Sequence, residues 1–247
     1  MDGTLVALLP GLNGSKLELG LLPKYIKQSG FDVVIPSING YEHGEPASSL
    51  ESWLGEAHSF LDSKSNQYQS IHLIGLSMGA TLALSLAQTR SDIRSISLLS
   101  PVLKYDGWSV PWYEPLLHFF YFLGFNNWKY SEREPFGLKN KDLRRRIKER
   151  FQTSKLTEVG ALEISARHLH EAKRLMKLAL AGLKDIRAKV LVIQSIEDDT
   201  CSTWSAETIL KSIPSDVKRV IWLGNSYHII TIDNEREVVL NEVIRFL

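Results

Sequence analysis

Two kinds of hydrophobic pattern alternate along the chain. Short apolar runs, rich in β-branched residues, occur at residues 5–9, 32–36, 71–75, 96–99, 190–194 and 219–223. Most are apolar almost throughout rather than at every second position, as expected of strands covered on both faces. Longer stretches with apolar residues at helical spacing lie between them, over residues 17–29, 50–63, 78–88, 203–212 and 235–246. This alternation predicts an α/β fold with a mainly parallel sheet flanked by helices.

One stretch breaks the rhythm. Residues 104–185 contain no convincing strand. They open with Tyr105, Trp108, Pro111, Trp112, Tyr113 and Pro115, continue through an apolar run at 116–125, and carry a basic run at 139–150. A helical pattern covers 162–183. An insertion of this length is too long for a plain connection. It predicts a helical cap over the C-terminal edge of the sheet, where open α/β sheets bind ligands. The expected division is a core of residues 1–103 and 186–247 with the cap, 104–185, inserted.

Composition narrows the class. The chain has 247 residues, 44% of them hydrophobic and 23% charged, with a formal net charge of +1. That is enough apolar material for a full core, and no global field draws the chain to nucleic acid or an anionic membrane. The single cysteine, Cys201, excludes an internal disulfide and a multi-cysteine metal site, and a reducing cytoplasm is the simplest home. The N-terminus has no positively charged region ahead of its apolar run, so no signal peptide is expected, and no apolar stretch is long enough to span a bilayer.

Candidate chemistry begins at the end of the third run, where Gly75-Leu76-Ser77-Met78-Gly79 joins a strand to a helix. The pattern G-x-S-x-G in that context is a nucleophile elbow. Its glycines are needed because side chains there would meet the adjoining strand and helix. The turn presents the Ser77 hydroxyl at a helix N-terminus, whose partial positive charge favours developing anionic charge. A serine hydroxyl needs a base, itself oriented by a carboxylate, and behind such an elbow the chain order is Ser, then Asp or Glu, then His. Glu197, Asp198 and Asp199 follow the strand at 190–194, and His228 follows the strand at 219–223. His228 is therefore the candidate base. The other histidines, at 43, 58, 72, 118, 168 and 170, have the placements of packing or surface residues. Oxyanion donors are expected from the N–H of Met78, just after the nucleophile, and from the loop Pro10-Gly11-Leu12-Asn13-Gly14 after the first strand, with Leu12 the second donor.

These residues resemble the carboxylesterase and monoacylglycerol-lipase group of α/β-hydrolases. The likeness rests on Leu73-Ile74-Gly75-Leu76-Ser77-Met78-Gly79-Ala80, on Val192-Ile193-Gln194 followed by Asp198, and on Ser226-Tyr227-His228-Ile229-Ile230-Thr231-Ile232-Asp233. It spans nearly the whole sheet framework and is weakest across the cap. It implies the α/β-hydrolase fold and selects Asp198 as the carboxylate, which stands four residues after the Gln that ends the strand. Two positions depart from the family pattern. Pro10 stands where a histidine is usual, and the Gly-His-Gly element of the next loop is only partly kept in Tyr41-Glu42-His43-Gly44.

The expected activity is hydrolysis of a carboxylic ester with an apolar acyl group through an acyl-Ser77 intermediate, with no metal or organic cofactor required. A thioesterase or acyltransferase using the same Ser-His-Asp triad is the alternative. The expected partner is a small-molecule acyl ester, with no nucleic acid and no integral membrane segment, and the protein a monomer or homodimer. Within the cap, Leu116, Leu117, Phe119, Phe120, Phe122, Leu123, Phe125 and Trp128 are expected to line an acyl channel, to pack the cap's own core, or to touch a membrane as a lid. The basic run reads as one solvated helix face or as a surface steering anionic substrates.

Overall fold

The computed structural model describes residues 3–247, without the side chains of Pro115, Leu117, His118 and Phe120. Ten strands and eight α-helices are described: β1 (Thr4–Leu9), α1 (Leu22–Gln28), β2 (Asp32–Val34), α2 (Leu50–Ser65), β3 (Ser70–Leu76), α3 (Met78–Ala87), β4 (Ile93–Leu99), α4 (Glu114–Phe122), β5 (Lys129–Ser131), α5 (Lys141–Arg150), β6 (Leu156–Thr157), β7 (Gly160–Ala161), β8 (Glu163–Ser165), α6 (Ala166–Ala181), β9 (Lys189–Ser195), α7 (Trp204–Ser212), β10 (Lys218–Leu223) and α8 (Arg236–Phe246). Six strands form one sheet in the order β10-β9-β4-β3-β1-β2, every neighbouring pair parallel.

The apolar runs are continuous because both faces of this sheet are covered. Alternate residues of one strand serve different cores. Leu5, Ala7 and Leu9 pack with Trp53 and Leu61 of α2, with α3, and with Leu175 of α6. Val6 and Leu8 pack with Leu22 and Ile26 of α1 and Val239 and Val243 of α8. β9 does the same, with Val190 and Val192 on the first side and Leu191 and Ile193 on the second. At about 25 cal/mol per Å² of apolar surface, such double-sided burial is the main force holding the layers together.

The helix pattern expected over 17–29 is broken. Lys16–Leu19 form a 3-10 turn, Gly20 takes φ +55°, and α1 starts only at Leu22 with Pro23 in its first turn. A tight turn there is needed because Gly20 lies against the Thr231 carbonyl, to which an added Cβ would approach within 2.8 Å.

The segment between β4 and β9 carries α4, α5 and α6, of which α6 falls within the helical pattern at 162–183, and it also carries short strands that the sequence does not announce. β5 pairs antiparallel with β8, and β6 with β7. These are two- and three-residue pieces, too short to leave a periodicity. α6 is a layer of the main fold by packing, since Ala172, Leu175, Met176 and Ala179 join the core beneath α3. The basic run forms α5, capped by Asn140, whose side chain accepts from the Leu143 N–H at 2.9 Å. Ile147 of this helix is buried, while Arg145, Lys148 and Arg150 pair with Asp142, Glu134 and Glu158.

Candidate active site

Each candidate residue follows the C-terminal end of a parallel strand: Leu12 after β1, Ser77 after β3, Asp198 after β9 and His228 after β10. In a parallel sheet these ends share one edge, so residues far apart in sequence converge there.

Ser77 has φ +56° and ψ −121°, a conformation that a side chain adopts only under compulsion. The surroundings supply it. The Ser77 N–H donates to the Leu99 carbonyl at 2.8 Å, and the next residue begins α3. A Cβ at Gly75 would collide with the Gly79 carbonyl, and a Cβ at Gly79 with the Leu9 carbonyl. The two flanking glycines let helix, elbow and β1 approach to backbone contact.

His228 is buried. Its Nε2 lies 2.8 Å from Ser77 Oγ, and its Nδ1 lies 2.9 and 3.0 Å from the two Asp198 oxygens. Asp198 also accepts from Gln194 Nε2 at 2.8 Å, the Thr200 N–H at 2.8 Å and the Cys201 N–H at 3.0 Å. Burial works against the Asp198 charge, but the charge and hydrogen bond of His228 and these N–H donors hold its carboxyl below the usual value. For His228, burial opposes protonation, and Asp198, with Asp199 and Glu132 adding, raises the imidazole above its usual value.

The neighbouring acids are turned elsewhere. Glu197 pairs with Lys139 at 2.7 Å, and Asp199 accepts the Gly137 N–H at 3.1 Å through Oδ2. Burial, with the Asp198 charge adding, pushes Asp199 up to about 6. Among the described residues, the remaining histidines are not at the Ser77 hydroxyl. His72 is buried in β3 against Ser95 and pushed down to about 4 by burial, and His168 sits beside its helix cap, Ser165. His170 lines the cavity and stacks on Tyr121. The His118 side chain lies outside the described residues.

In the loop after β1, N–H groups are committed one by one. Pro10 has none. Gly11 donates to Glu18 Oε2 at 2.9 Å, Asn13 to the Tyr41 carbonyl at 2.8 Å and Gly14 to the Gly11 carbonyl at 3.2 Å. Among the described residues, the Leu12 N–H has no acceptor. Met78 opens α3, where N–H groups have no partner within the helix. Both Leu12 and Met78 line the same cavity as Ser77 and His228. Tyr41, from the partly kept element of the next loop, is buried and braces this loop by donating its hydroxyl to the Pro10 carbonyl at 3.1 Å.

That cavity measures about 250 Å³. Its apolar wall comes from Leu12, Val110, Trp128, Phe136, Ile164 and Leu169 among others, and Glu18, Glu132 and Asp199 also face it. The expected channel run is mostly elsewhere. Leu116, Phe119, Phe122, Leu123 and Phe125 are all exposed, Leu117 and Phe120 lie outside the described side chains, and of the described members of that set Trp128 alone lines the cavity. Hydropathy marks a residue as apolar without saying which side of a small insertion it faces. Glu18 and Glu132 were not singled out from sequence. The only signal for Glu18 was local, the capping pattern Ser15-x-x-Glu18.

Among the described residues, one set of atoms could in principle hold a metal, from Asp198, Cys201 and His228, within 4.8 Å of one another. They are poorly disposed to it. His228 Nδ1 is turned onto the Asp198 carboxylate, and burial pushes the Cys201 thiol well above its usual value.

A serine on a strand–turn–helix elbow, served by a histidine and a carboxylate from later strand ends of a parallel sheet, defines the α/β-hydrolases of serine type. The comparisons agree with that class. The chain belongs to the family described as serine aminopeptidase, S33, which it matches over residues 3–236. It is 25% identical to a thermostable monoacylglycerol lipase of Bacillus sp. (strain H-257), covering 98% of this chain and 89% of the relative. It is likewise 25% identical to a carboxylesterase of Bacillus subtilis (strain 168), covering 98% and 91%. The solved structure of a Paleococcus ferrophilus monoacylglycerol lipase superposes with a TM-score of 0.82 at 19% identity, covering 98% of this chain and 93% of that one.

Proposed function

We propose that the protein hydrolyses carboxylic esters with an apolar acyl group, as a carboxylesterase of the monoacylglycerol-lipase type. The observation that carries this is the unbroken relay of Asp198, His228 and Ser77, joined at 2.9 and 2.8 Å. His228 Nε2 takes the Ser77 proton as Oγ attacks the ester carbonyl, and the oxyanion that forms accepts from the Leu12 and Met78 N–H groups. Asp198 holds the imidazole in the tautomer with a proton on Nδ1 and supports the imidazolium. The imidazolium then protonates the departing alkoxide, leaving acyl-Ser77. A water that gives its proton to His228 attacks this acyl group, and Ser77 leaves with that proton as the acid is released. The names of the two bacterial relatives support the ester class, and the apolar wall of the cavity supports an apolar acyl group.

Residues 104–185 form the cap insertion in this reading, anchored to the core through α6, and the enzyme works in the cytoplasm as a monomer or homodimer. No helix among the described residues is long and apolar enough to cross a membrane. A product burst with p-nitrophenyl esters and labelling of Ser77 by a fluorophosphonate, both lost in Ser77→Ala, test the proposal. A wild-type protein that neither turns over nor labels refutes it.

A second reading is favoured by one observation. The family is named for aminopeptidases, and Glu132 puts on the cavity wall a carboxyl, pushed up to about 7 by burial, that a substrate's protonated amine would pair with. Turnover of aminoacyl p-nitroanilides in preference to simple esters would select it.

A further inference from the structure

Glu18 is a buried acid that the reaction as written does not use. It is 4% exposed, and no cation pairs with it among the described residues. Taking a carboxyl out of water without a counter-ion is costly. Burial pushes Glu18 up to about 7, against the backbone hydrogen bonds of Gly11 and Ser15 and the charge of His228. A side chain buried at that cost is held there by specific contacts.

Those contacts lead to the loop after β1. Oε2 accepts the Gly11 N–H at 2.9 Å, the peptide group immediately before the free Leu12 N–H. Three glycines on two chain segments are shaped around the carboxyl. A Cβ at Gly11 would stand 3.0 Å from Oε2 and 3.7 Å from Ser77 Cβ, one at Gly14 would overlap Oε1, and one at Gly160 of β7 would lie 2.6 Å from it. The backbone of the same residue reaches the base, for the Glu18 carbonyl accepts from Thr231 Oγ1, three residues past His228. Gly11 is thus held from beneath, and its N–H is withdrawn from the space where the oxyanion forms.

We infer that Glu18 is a positioning residue for the ester hydrolysis proposed above, its carboxyl fixing the Gly11 peptide so that the Leu12 N–H is presented to the oxyanion at Ser77. It touches no reacting atom and acts through the loop. Because the transition state carries the oxyanion and the bound ester does not, its loss falls on kcat rather than on KM.

The test uses the full chain as Glu18→Ala, Glu18→Gln and Glu18→Asp, with kcat and KM measured separately on p-nitrophenyl butyrate and thermal melts alongside. Removing a whole oxyanion donor costs about 10²–10³ in kcat, so misplacing one through Glu18→Ala is expected to cost about 10- to 100-fold with KM nearly unchanged. Glu18→Gln keeps an oxygen acceptor for Gly11 and restores kcat to within about threefold of wild type. Glu18→Asp keeps the charge, but one methylene short of Gly11, and loses kcat by about tenfold or more. Wild-type kcat in Glu18→Ala with only a lowered melting temperature overturns the inference, as does a Glu18→Gln enzyme no better than Glu18→Ala. If Glu18→Ala does not fold, Asp decides, and wild-type kcat in Glu18→Asp overturns it. A wild type with neither turnover nor Ser77 labelling overturns this inference and the ester reading together, whereas an active, labelled wild type confines any failure to Glu18.

Discussion

Replacing Asp198 by Asn keeps the shape of the side chain and removes one acceptor. The carboxylate accepts from five groups: His228 Nδ1, Gln194 Nε2, the N–H groups of Thr200 and Cys201 and, weakly, the Cys201 thiol at 3.6 Å. The amide of Asn offers one oxygen and one NH₂. If the oxygen keeps Thr200 and Cys201, the NH₂ faces Gln194 Nε2, donor against donor, and also faces His228 Nδ1. One buried donor left without an acceptor costs about 1–3 kcal/mol of stability. The functional loss is larger. The NH₂ donates to Nδ1, so the imidazole proton moves to Nε2, and that nitrogen then donates to Ser77 Oγ instead of accepting from it. The same substitution in a serine protease triad costs about 10⁴ in kcat, which is roughly 5 kcal/mol of transition-state stabilisation. We expect a loss of that order here, read as kcat on p-nitrophenyl butyrate, with the melt showing the variant folded. The stability deficit should also narrow in acid. The folded pKa of Asp198 is lowered, so its ionised form contributes stability above the ordinary value of 3.8, and that contribution is lost as pH falls through the folded value. A folded Asp198→Asn enzyme within about tenfold of wild-type kcat would refute the assignment of Asp198 as the orienting acid.

Ser77→Gly should abolish turnover yet unfold at higher urea than Ser77→Ala. A side chain at φ +56° stores about 1–3 kcal/mol of strain, and glycine's greater unfolded-state freedom returns only about 0.5–1 kcal/mol; equal midpoints would contradict a strained elbow. Gly79→Ala drives a methyl into the Leu9 carbonyl, so folded protein should fail to accumulate or should lose activity, and a wild-type melt with wild-type turnover would sink that account. The acid limb of kcat/KM should lie above the ordinary histidine value of 6.5, because neutral His228 is the active form and Asp198 raises its pKa. Activity is then lost as pH falls through that limb, and a limb at or below 6.5 would count against His228 as the base.

Much of this could be read from the chain because the information was local. β3 was expected at 71–75 and is Ser70–Leu76, and β9 was expected at 190–194 and is Lys189–Ser195. A strand covered on both faces writes an unbroken apolar run. The elbow was visible because a backbone-tight turn between β3 and α3 admits little besides glycine at positions 75 and 79. The run at 116–125 shows the limit. Its hydropathy was plain, but the orientation of α4 depends on what the rest of the insertion covers, and several of its large side chains face outward. The short strands β5 to β8 left no trace because two or three residues carry no period.

The sequence by itself determined the order of the main-sheet strands and the helices between them, the placement of Ser77 at a strand–helix turn and the position of His228 past the last strand, since each depends on neighbours within a few residues. Only the tertiary structure decided how Glu197 and Asp199 are turned away from His228, which acceptors take up the other N–H groups of the Pro10–Gly14 loop, and that Glu18 and Tyr41 hold that loop. Those outcomes depend on which groups already have partners. Such partners stand far apart in the chain, 151 residues for Ser77 and His228 and 213 for Glu18 and Thr231, and the packing of the parallel sheet brings them within hydrogen-bond reach.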